Sequence, residues 1–229
     1  MDRIENKIVV GFSINPEIWF ESVKTNDPEK KEVSSHGLSI AGSSANIGQA
    51  LSKLGCHAEI IGAIGEDDYA SNLLKYELMK HNINFTPLKI LDSTNIAFIP
   101  LEKSGKNNVV HGKKGNLDSS KLFLCKETIR NTRSTWRIAS SIRYEEMPLA
   151  MDLLDKEYLG FRSLNIKSNA IASARTFSRD LVQNTDLLIL NKYEFECFKL
   201  KEEEFFLLGP KVLIITDGEN GGKCYTENF

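Results

Sequence analysis

The sequence predicts an α/β fold in which a mostly parallel sheet is covered by helices on both faces. Three observations carry that expectation. Short β-branched or apolar runs recur along the chain, segments of helical spacing lie between them, and glycine or a capping residue marks the joints. In such folds ligands bind at the carboxyl ends of the strands, so those ends are where chemistry is expected.

Taken in order, residues 7–10 are a strand-like run ending at Gly11, and residues 14–20 and 32–40 are short, partly polar strands around a charged turn at residues 27–31. Residues 45–54 carry Ile47, Ala50, Leu51 and Leu54 at helical spacing, and Gly55 is placed for a left-handed C-cap. Residues 58–64 read as a strand broken only by Glu59, and Asp67 or Asp68 is the N-cap of a helix running toward His81. Residues 95–101 and 108–111, split by a turn at residues 104–107, suggest a second hairpin able to pair with the first. Alternation then resumes: strand 135–140, helix 145–158, strand 160–166, helix 171–183, strand 186–190 and strand 211–216. The charged run 201–204 reads as a solvated helix end or turn.

Composition narrows the function classes. The chain has 229 residues, 41% of them hydrophobic and 26% charged, which suits one domain with a buried core. With 29 basic and 31 acidic residues the net charge is −2, so no overall field attracts nucleic acid or an anionic membrane, and any anion site must be local. The longest apolar runs, residues 187–190 and 212–215, fall far short of the roughly 20 residues that span a bilayer. The charged opening, residues 1–7, does not resemble a signal peptide, and a cytoplasmic location is expected. Cys56, Cys125, Cys197 and Cys224 have no zinc or redox spacing and read as ordinary thiols. His36, His57, His81 and His111 are scattered, so no metal cage is expected. The tripeptide Asn84-Phe85-Thr86 matters only in a secreted chain.

Four motifs fall at strand ends. Residues 41–55, AGSSANIGQALSKLG, place a small-residue turn after a strand and Asn46 in the opening turn of a helix. Helix-opening N–H groups and an amide suit a polyhydroxylated ligand, although a plain strand-to-helix turn explains the small residues equally well. Residues 11–17, GFSINPE, end a strand with Asn15 and Glu17, where a carboxylate could accept hydrogen bonds from vicinal hydroxyls or simply face solvent. Asn191-Lys192-Tyr193-Glu194 follows a buried strand; residues three apart share a helical face, so Asn191 and Glu194 could serve a triphosphate and hydrated magnesium, or form an ordinary N-cap. Residues 212–222, VLIITDGENGG, run into Thr216, Gly218 and Gly221, which also suit a hairpin turn. The stretch GENGGKC is one residue too short for a P-loop and ends in Cys224.

In their order along the chain these motifs resemble the phosphofructokinase B or ribokinase-like sugar kinase family. Asn46, Gly55 and Gly65 match its first signature, with departures at Ala41, Ser44, Gly48 and Ala70, so Gly42 and Asn46 transfer most directly. Residues 11–17 resemble the segment that presents an Asp to the sugar, with Glu17 in its place; NKYE resembles the NxxE motif, and residues 216–221 resemble the TxGxxG turn. The resemblance implies a ribokinase-like three-layer sandwich spanning residues 1–229, with β-lid segments at about 13–39 and 95–112. It also implies ATP and Mg2+ as cofactors, with room for a monovalent cation, and phosphoryl transfer to a hydroxyl of a sugar or nucleoside-like substrate. Asn15, Glu17, Gly42, Asn46 and Glu146 would hold the acceptor. Asn191, Glu194, Thr216, Gly218 and Gly221 would serve the nucleotide, with Glu194 organising the metal. The lid edges offer a route to a homodimer.

The family's DTxGAGD-like run, which carries the Asp base, does not occur in the sequence. The base is therefore expected beyond Phe229, and the chain by itself is expected to be a poor or inactive kinase. A non-catalytic sugar- or nucleotide-binding protein on the same scaffold is the alternative. A dinucleotide-dependent dehydrogenase is disfavoured because no GxGxxG follows the first strand.

Overall fold

The computed structural model describes residues 7–24, 31–101, 110–112 and 115–227. Its main sheet has eight strands, β1 (Lys7–Phe12), β4 (His57–Gly65), β5 (Asn84–Leu91), β8 (Trp136–Ile142), β9 (Phe161–Ile166), β10 (Leu187–Asn191), β11 (Val212–Thr216) and β12 (Gly222–Thr226). They lie in the order β12-β11-β10-β9-β8-β1-β4-β5. All adjacent pairs are parallel except β11 and β12. A second sheet holds β2 (Asn15–Lys24), β3 (Lys31–Ala41), β6 (Ala97–Leu101) and β7 (Val110–His111) in the order β3-β2-β6-β7. The two early strands pair as an antiparallel hairpin, β6 joins β2 in parallel and β7 returns beside β6, so the two lid segments do pair.

The period-two alternation of the central strands decides which helices lie on which face. Ile8 and Val10 of β1 and Ile60 and Ile64 of β4 pack in one cluster with Ala45 of α1 (Ser43–Lys53) and Leu74 and Leu78 of α2 (Tyr69–Lys80). Val9, Ile61 and Ala63 point the other way. There they meet α3 (Leu122–Asn131), α4 (Met147–Leu153), α5 (Ser168–Ser173), α6 (Arg175–Gln183), α7 (Lys192–Phe198) and α8 (Glu202–Leu208), through residues such as Ile129, Leu149, Ile171, Leu181, Phe198 and Phe205. Each fully buried aliphatic side chain contributes on the order of 1.5–3 kcal/mol, so both helical layers are held by the sheet's alternation.

Local signals behave as their chemistry dictates. Asp68 caps α2, its Oδ1 accepting from Ser71 N at 2.6 Å, while its Oδ2 accepts from Thr94 N at 2.5 Å. The same carboxylate thus ties the helix to the connection between β5 and β6. Gly55 has φ 77° just past α1, in the left-handed region expected of a C-cap glycine. The first turn of α8 carries Glu202, Glu203 and Glu204, which complement the helix dipole.

Several elements differ from expectation. The helix expected at 145–158 is a 3-10 turn, Tyr144–Glu146, followed by the shorter α4, whose start is set by Pro148 in its first turn. Tyr158 is instead a platform for Arg137, whose guanidinium lies 4.0 Å from its ring centroid. The helix expected at 171–183 is broken at Ala174 (φ −146°, ψ 63°), and both pieces bury residues in the same core. Strand β5, absent from the sequence-based expectation, carries Pro87 and lies at the edge of the sheet, where proline is tolerated. Helix α3 was hidden by exposed Phe123 and Leu124, and β12 by its leading glycines. The residues of the two anticipated lid turns, at 27–31 and 104–107, lie outside the described residues apart from Lys31 in β3.

Candidate functional site

The connectivity marks a switch point. From β1 the chain moves outward to β4 and β5, then returns to the other side of β1 as β8 and continues outward through β9, β10 and β11. Connections diverge between β1 and β8, which opens a crevice at their carboxyl ends. A pocket lies there. It is lined by Phe12, Ser13, Ile14 and Asn15 after β1, Ala63 of β4, Asn95, Ile96 and Gly112 from the base of the lid, and Arg143, Glu146 and Lys167 after β8 and β9.

Two of the expected acceptor residues, Asn15 and Glu146, line this pocket. Asn15 is half-buried, and its amide nitrogen donates to the Pro16 carbonyl at 3.2 Å. Glu146 is 1% exposed and is fully engaged by one neighbour. Its Oε1 accepts from Arg143 Nη2 at 2.7 Å and its Oε2 from Arg143 N at 3.1 Å. Burial pulls the Arg143 guanidinium toward a lower pKa, but the hydrogen bond and charge of Glu146, with Glu145, outweigh it and hold Arg143 above its ordinary value.

Gly42 lies outside the lining and packs against Ser13, which is part of it. It has φ 95° and ψ 151°, a combination essentially closed to other residues, and a Cβ there would collide with the Ser13 carbonyl. Ser44 N donates to the same Ser13 carbonyl at 3.1 Å, so the start of α1 is pinned to the end of β1. Asn46 stands exposed in the first turn of α1, outside the pocket lining. Glu17 also lies outside the lining: it sits on β2 facing β3, where its Oε1 accepts from Ser39 Oγ at 3.3 Å.

The nucleotide motifs gather two to three strands away. Asn191 ends β10 and caps α7, its Oδ1 accepting from Glu194 N at 2.8 Å while Asn191 N donates to Glu194 Oε2 at 2.9 Å. This reciprocal pair is a capping box, which explains why Asn and Glu recur at that spacing at a helix start. Glu194 is 8% exposed. Burial pushes its carboxyl above the usual carboxylate range, against the hydrogen bonds of Asn191 and Asn165 and the charge of Lys167. Thr216 is in register with Asn191 on β11, and its Oγ1 donates to Leu190 O at 3.5 Å, a long bond. Gly218 and Gly221 form the β11–β12 turn with φ 55° and 81°, and a Cβ on either would meet open space. Lys192 and Asp217 form an exposed ion pair at 3.2 Å across α7 and this turn.

Three residues in and between these regions escaped sequence reasoning. Asn165 on β9 donates to Ile189 O at 2.9 Å, accepts from Ser141 N at 3.2 Å and hydrogen-bonds Glu194. Lys167, just past β9, lines the pocket between β1 and β8 while its charge acts on Glu194. Arg143 lines the same pocket and bonds Glu146 within it. The signal available was position alone: Lys167 follows a strand's carboxyl end, and Arg143 stands three residues before Glu146.

A parallel α/β sheet carrying a β lid over a switch-point crevice is the architecture of ribokinase-like proteins. The profile of the pfkB family carbohydrate kinases matches residues 7–228, and the chain belongs to that family, whose members are phosphotransferases. Among solved structures it is similar to a ribokinase from Thermotoga maritima at 23% identity and TM-score 0.68, covering 97% of this chain and 75% of that one. It is also similar to the tetrameric inhibited form of phosphofructokinase-2 from Escherichia coli, at 12% identity and TM-score 0.75, covering 98% and 78%. A third is the Arabidopsis thaliana ribokinase complexed with ribose and ATP, at 16% identity and TM-score 0.63, covering 98% and 76%. No curated protein matches the chain. Among the described residues, no helix is long and apolar enough to cross a membrane.

Proposed function

We propose that this chain binds a sugar or nucleoside-like acceptor in the crevice between β1 and β8 and ATP with magnesium along α7 and the β11–β12 turn, for transfer of the γ-phosphoryl group to an acceptor hydroxyl. The observation that carries the reading is Lys167: one side chain lines the acceptor pocket and acts electrostatically on Glu194, so the two regions adjoin at the end of β9. The Arabidopsis relative, complexed with ribose and ATP, is consistent with both ligands.

The residues suit a hydrated magnesium ion. Among the described residues no group of three His, Cys, Asp or Glu could strip and cage a metal. A single buried carboxylate, Glu194, can instead take hydrogen bonds from a cation's retained waters. When bound, magnesium and ATP would supply the phosphoryl group and neutralise its charge. Asn191 and Glu194 order the start of α7, Thr216 with Gly218 and Gly221 shapes the turn beside it, and Lys167 supplies positive charge between the two ligands. Asn15 holds the acceptor, Gly42 keeps Ser13 in position, and Asn46 and Glu17 serve the rim. No residue of the chain is assigned the base. The lid's outer strands, β3 and β7, offer edges along which a second copy could pair, and an ATP-dependent reaction accords with a cytoplasmic location.

Calorimetric titration with a non-hydrolysable ATP analogue tests the reading. Magnesium-dependent nucleotide binding, together with binding of at least one compound from a sugar and nucleoside panel, is expected. Absence of nucleotide binding at millimolar analogue overturns it.

A further inference from the structure

The lid sheet carries an aromatic ring on the face that it shares with the acceptor pocket. Alternate residues of a strand point to the same side, so Asn15, Glu17, Trp19 and Glu21 of β2 lie on one face. Their neighbours on that face are Ser39, Gly37 and Ser35 of β3 and Ala97 and Ile99 of β6. Asn15, at the base of the face, lines the pocket, and Trp19 stands roughly 13 Å further along the strand. The indole lies over Gly37, where a Cβ would collide with ring atoms Cε2, Cζ2 and Nε1. It is half-buried and belongs to neither core cluster of the main body. Aromatic cover of a glycine on an edge strand stabilises a sheet; the groups around this ring give it a second use. Glu17 and Glu21 flank it, each about 7 Å away along β2, and each has a carboxylate oxygen accepting from a serine hydroxyl of β3, Ser39 and Ser35, at 3.3 Å. These long bonds leave acceptor capacity on both carboxylates.

We infer that Trp19 determines specificity for an extended acceptor, a disaccharide or longer glycoside, whose second sugar ring stacks on the indole while its hydroxyls donate to Glu17 and Glu21. This deepens the proposed kinase reading and rests on it. The sugar that receives the phosphoryl group occupies the pocket at Asn15, and the span from there to Trp19 needs more than one ring. A pyranose offers a flat C–H face to an aromatic surface and hydroxyls around its whole rim, so it supplies donors on both sides at once. Two carboxylates on opposite sides of the indole call for that distribution. A nucleobase also stacks, but its N–H donors are grouped on part of its rim and the remaining edges carry acceptors, which would face one of the two carboxylates without a proton to share.

Equilibrium binding to the intact chain tests this independently of turnover, with matched pairs of probes: maltose against glucose, lactose against galactose, and sucrose against fructose, beside adenosine and uridine. In at least one pair the disaccharide should bind about tenfold or more tightly than its monosaccharide. Trp19→Ala should reduce that advantage to about twofold or less, and Trp19→Phe should keep part of it. Gly37→Ala displaces the ring without removing it and should also shrink the advantage. The chain has two tryptophans, so in Trp136→Phe protein the fluorescence of Trp19 reports its own surroundings; the disaccharide should shift it and the monosaccharide should not. Disaccharides that bind no more tightly than monosaccharides, or an advantage that survives Trp19→Ala, overturn the inference and leave the kinase reading standing. A Trp19-dependent gain for adenosine or uridine instead of the disaccharides overturns it in favour of a nucleobase. Failure of every probe to bind, with nucleotide binding intact, removes the pocket as acceptor site and the inference with it.

Discussion

Replacing Glu194 separates what its side chain does for the fold from what it does for a cation. The carboxylate closes the capping box by accepting from Asn191 N at 2.9 Å, and it is buried at 8% exposure. Glu194→Ala removes that acceptor, which costs about 0.5–2 kcal/mol, or roughly 1–8 °C in melting temperature for a chain of this size. Glu194→Gln keeps an amide oxygen in the same place and removes only the charge. Because burial raises the carboxyl's pKa in the folded state, ionised Glu194 opposes folding. The stability contributed by this group is therefore fully present below the unfolded value near 4.5 and is lost as pH rises through the folded value. Gln escapes that loss, so its stability relative to wild type should rise between pH 4 and 7 in urea unfolding. If the carboxylate also receives hydrogen bonds from a hydrated cation, Gln should weaken magnesium dependence of nucleotide binding about tenfold, equivalent to about 1.4 kcal/mol. A Gln variant as destabilised as the Ala variant would refute the capping account, and an unchanged magnesium dependence would refute the metal role.

Two further substitutions probe the frame around the site. Asp186 accepts from Arg162 N at 3.0 Å and Arg162 Nε at 3.1 Å; burial pushes its pKa up, but Arg162 and Lys211 hold it below the ordinary 3.8, so its stabilisation is present above that value and lost as pH falls. Asp186→Asn should cost about 2 kcal/mol at pH 7 in urea unfolding, with the gap to wild type closing below pH 3.8, and a gap that persists in acid would refute the charge assignment. Gly42→Ala should cost about 1–3 kcal/mol from backbone strain alone and lower acceptor affinity with it, because the displaced Ser13 carbonyl lies in the pocket wall; a variant as stable as wild type would show that the turn can relax.

Much of the main sheet was legible because its strands are short apolar runs ended by glycine or a cap, and both signals act locally. Gly55 and Asp68 needed no tertiary context to be read. The failures share a cause: the deciding fact was an element's neighbour. Pro87 rules out a central strand but not an edge, and sequence does not reveal which strand lies at the edge. Phe123 and Leu124 are exposed apolar residues that blur the spacing of Leu122, Cys125 and Ile129 in α3. The site divides likewise. Asn191 and Glu194 are three residues apart, so their joint geometry follows from helical pitch. Lys167 and Glu194, or Arg143 and Lys167, are brought near one another only by parallel strand order. Glu17, expected at the acceptor from the resemblance alone, lies on β2 and accepts from Ser39 of the lid hairpin.

The lid and the acceptor pocket share the same covalent joints, and this gives the fold its functional logic. The chain passes between main sheet and lid at four places: from β1 to β2 through Ser13 and Ile14, from β3 to α1 through Gly42, from β5 to β6 through residues 92–96, and back from β7 toward α3. The pocket draws its lining from three of these joints, with Ser13 and Ile14, Asn95 and Ile96, and Gly112; Gly42, the fourth, packs on Ser13. The third joint is pinned by Asp68 to Thr94 N, and by Gly65 N to Thr94 Oγ1 at 2.9 Å, where a side chain on Gly65 would press on Ser93 Cα at 2.8 Å. A ligand in the crevice therefore touches the hinges of the lid, not merely its underside. On the proposed function, a rotation of the lid sheet would turn these same backbone segments and with them part of the acceptor site. The opposite wall, Arg143 and Glu146 with Lys167, follows the ends of β8 and β9, so the charged groups of the lining lie on the main-sheet side and the backbone and amides on the side of the joints.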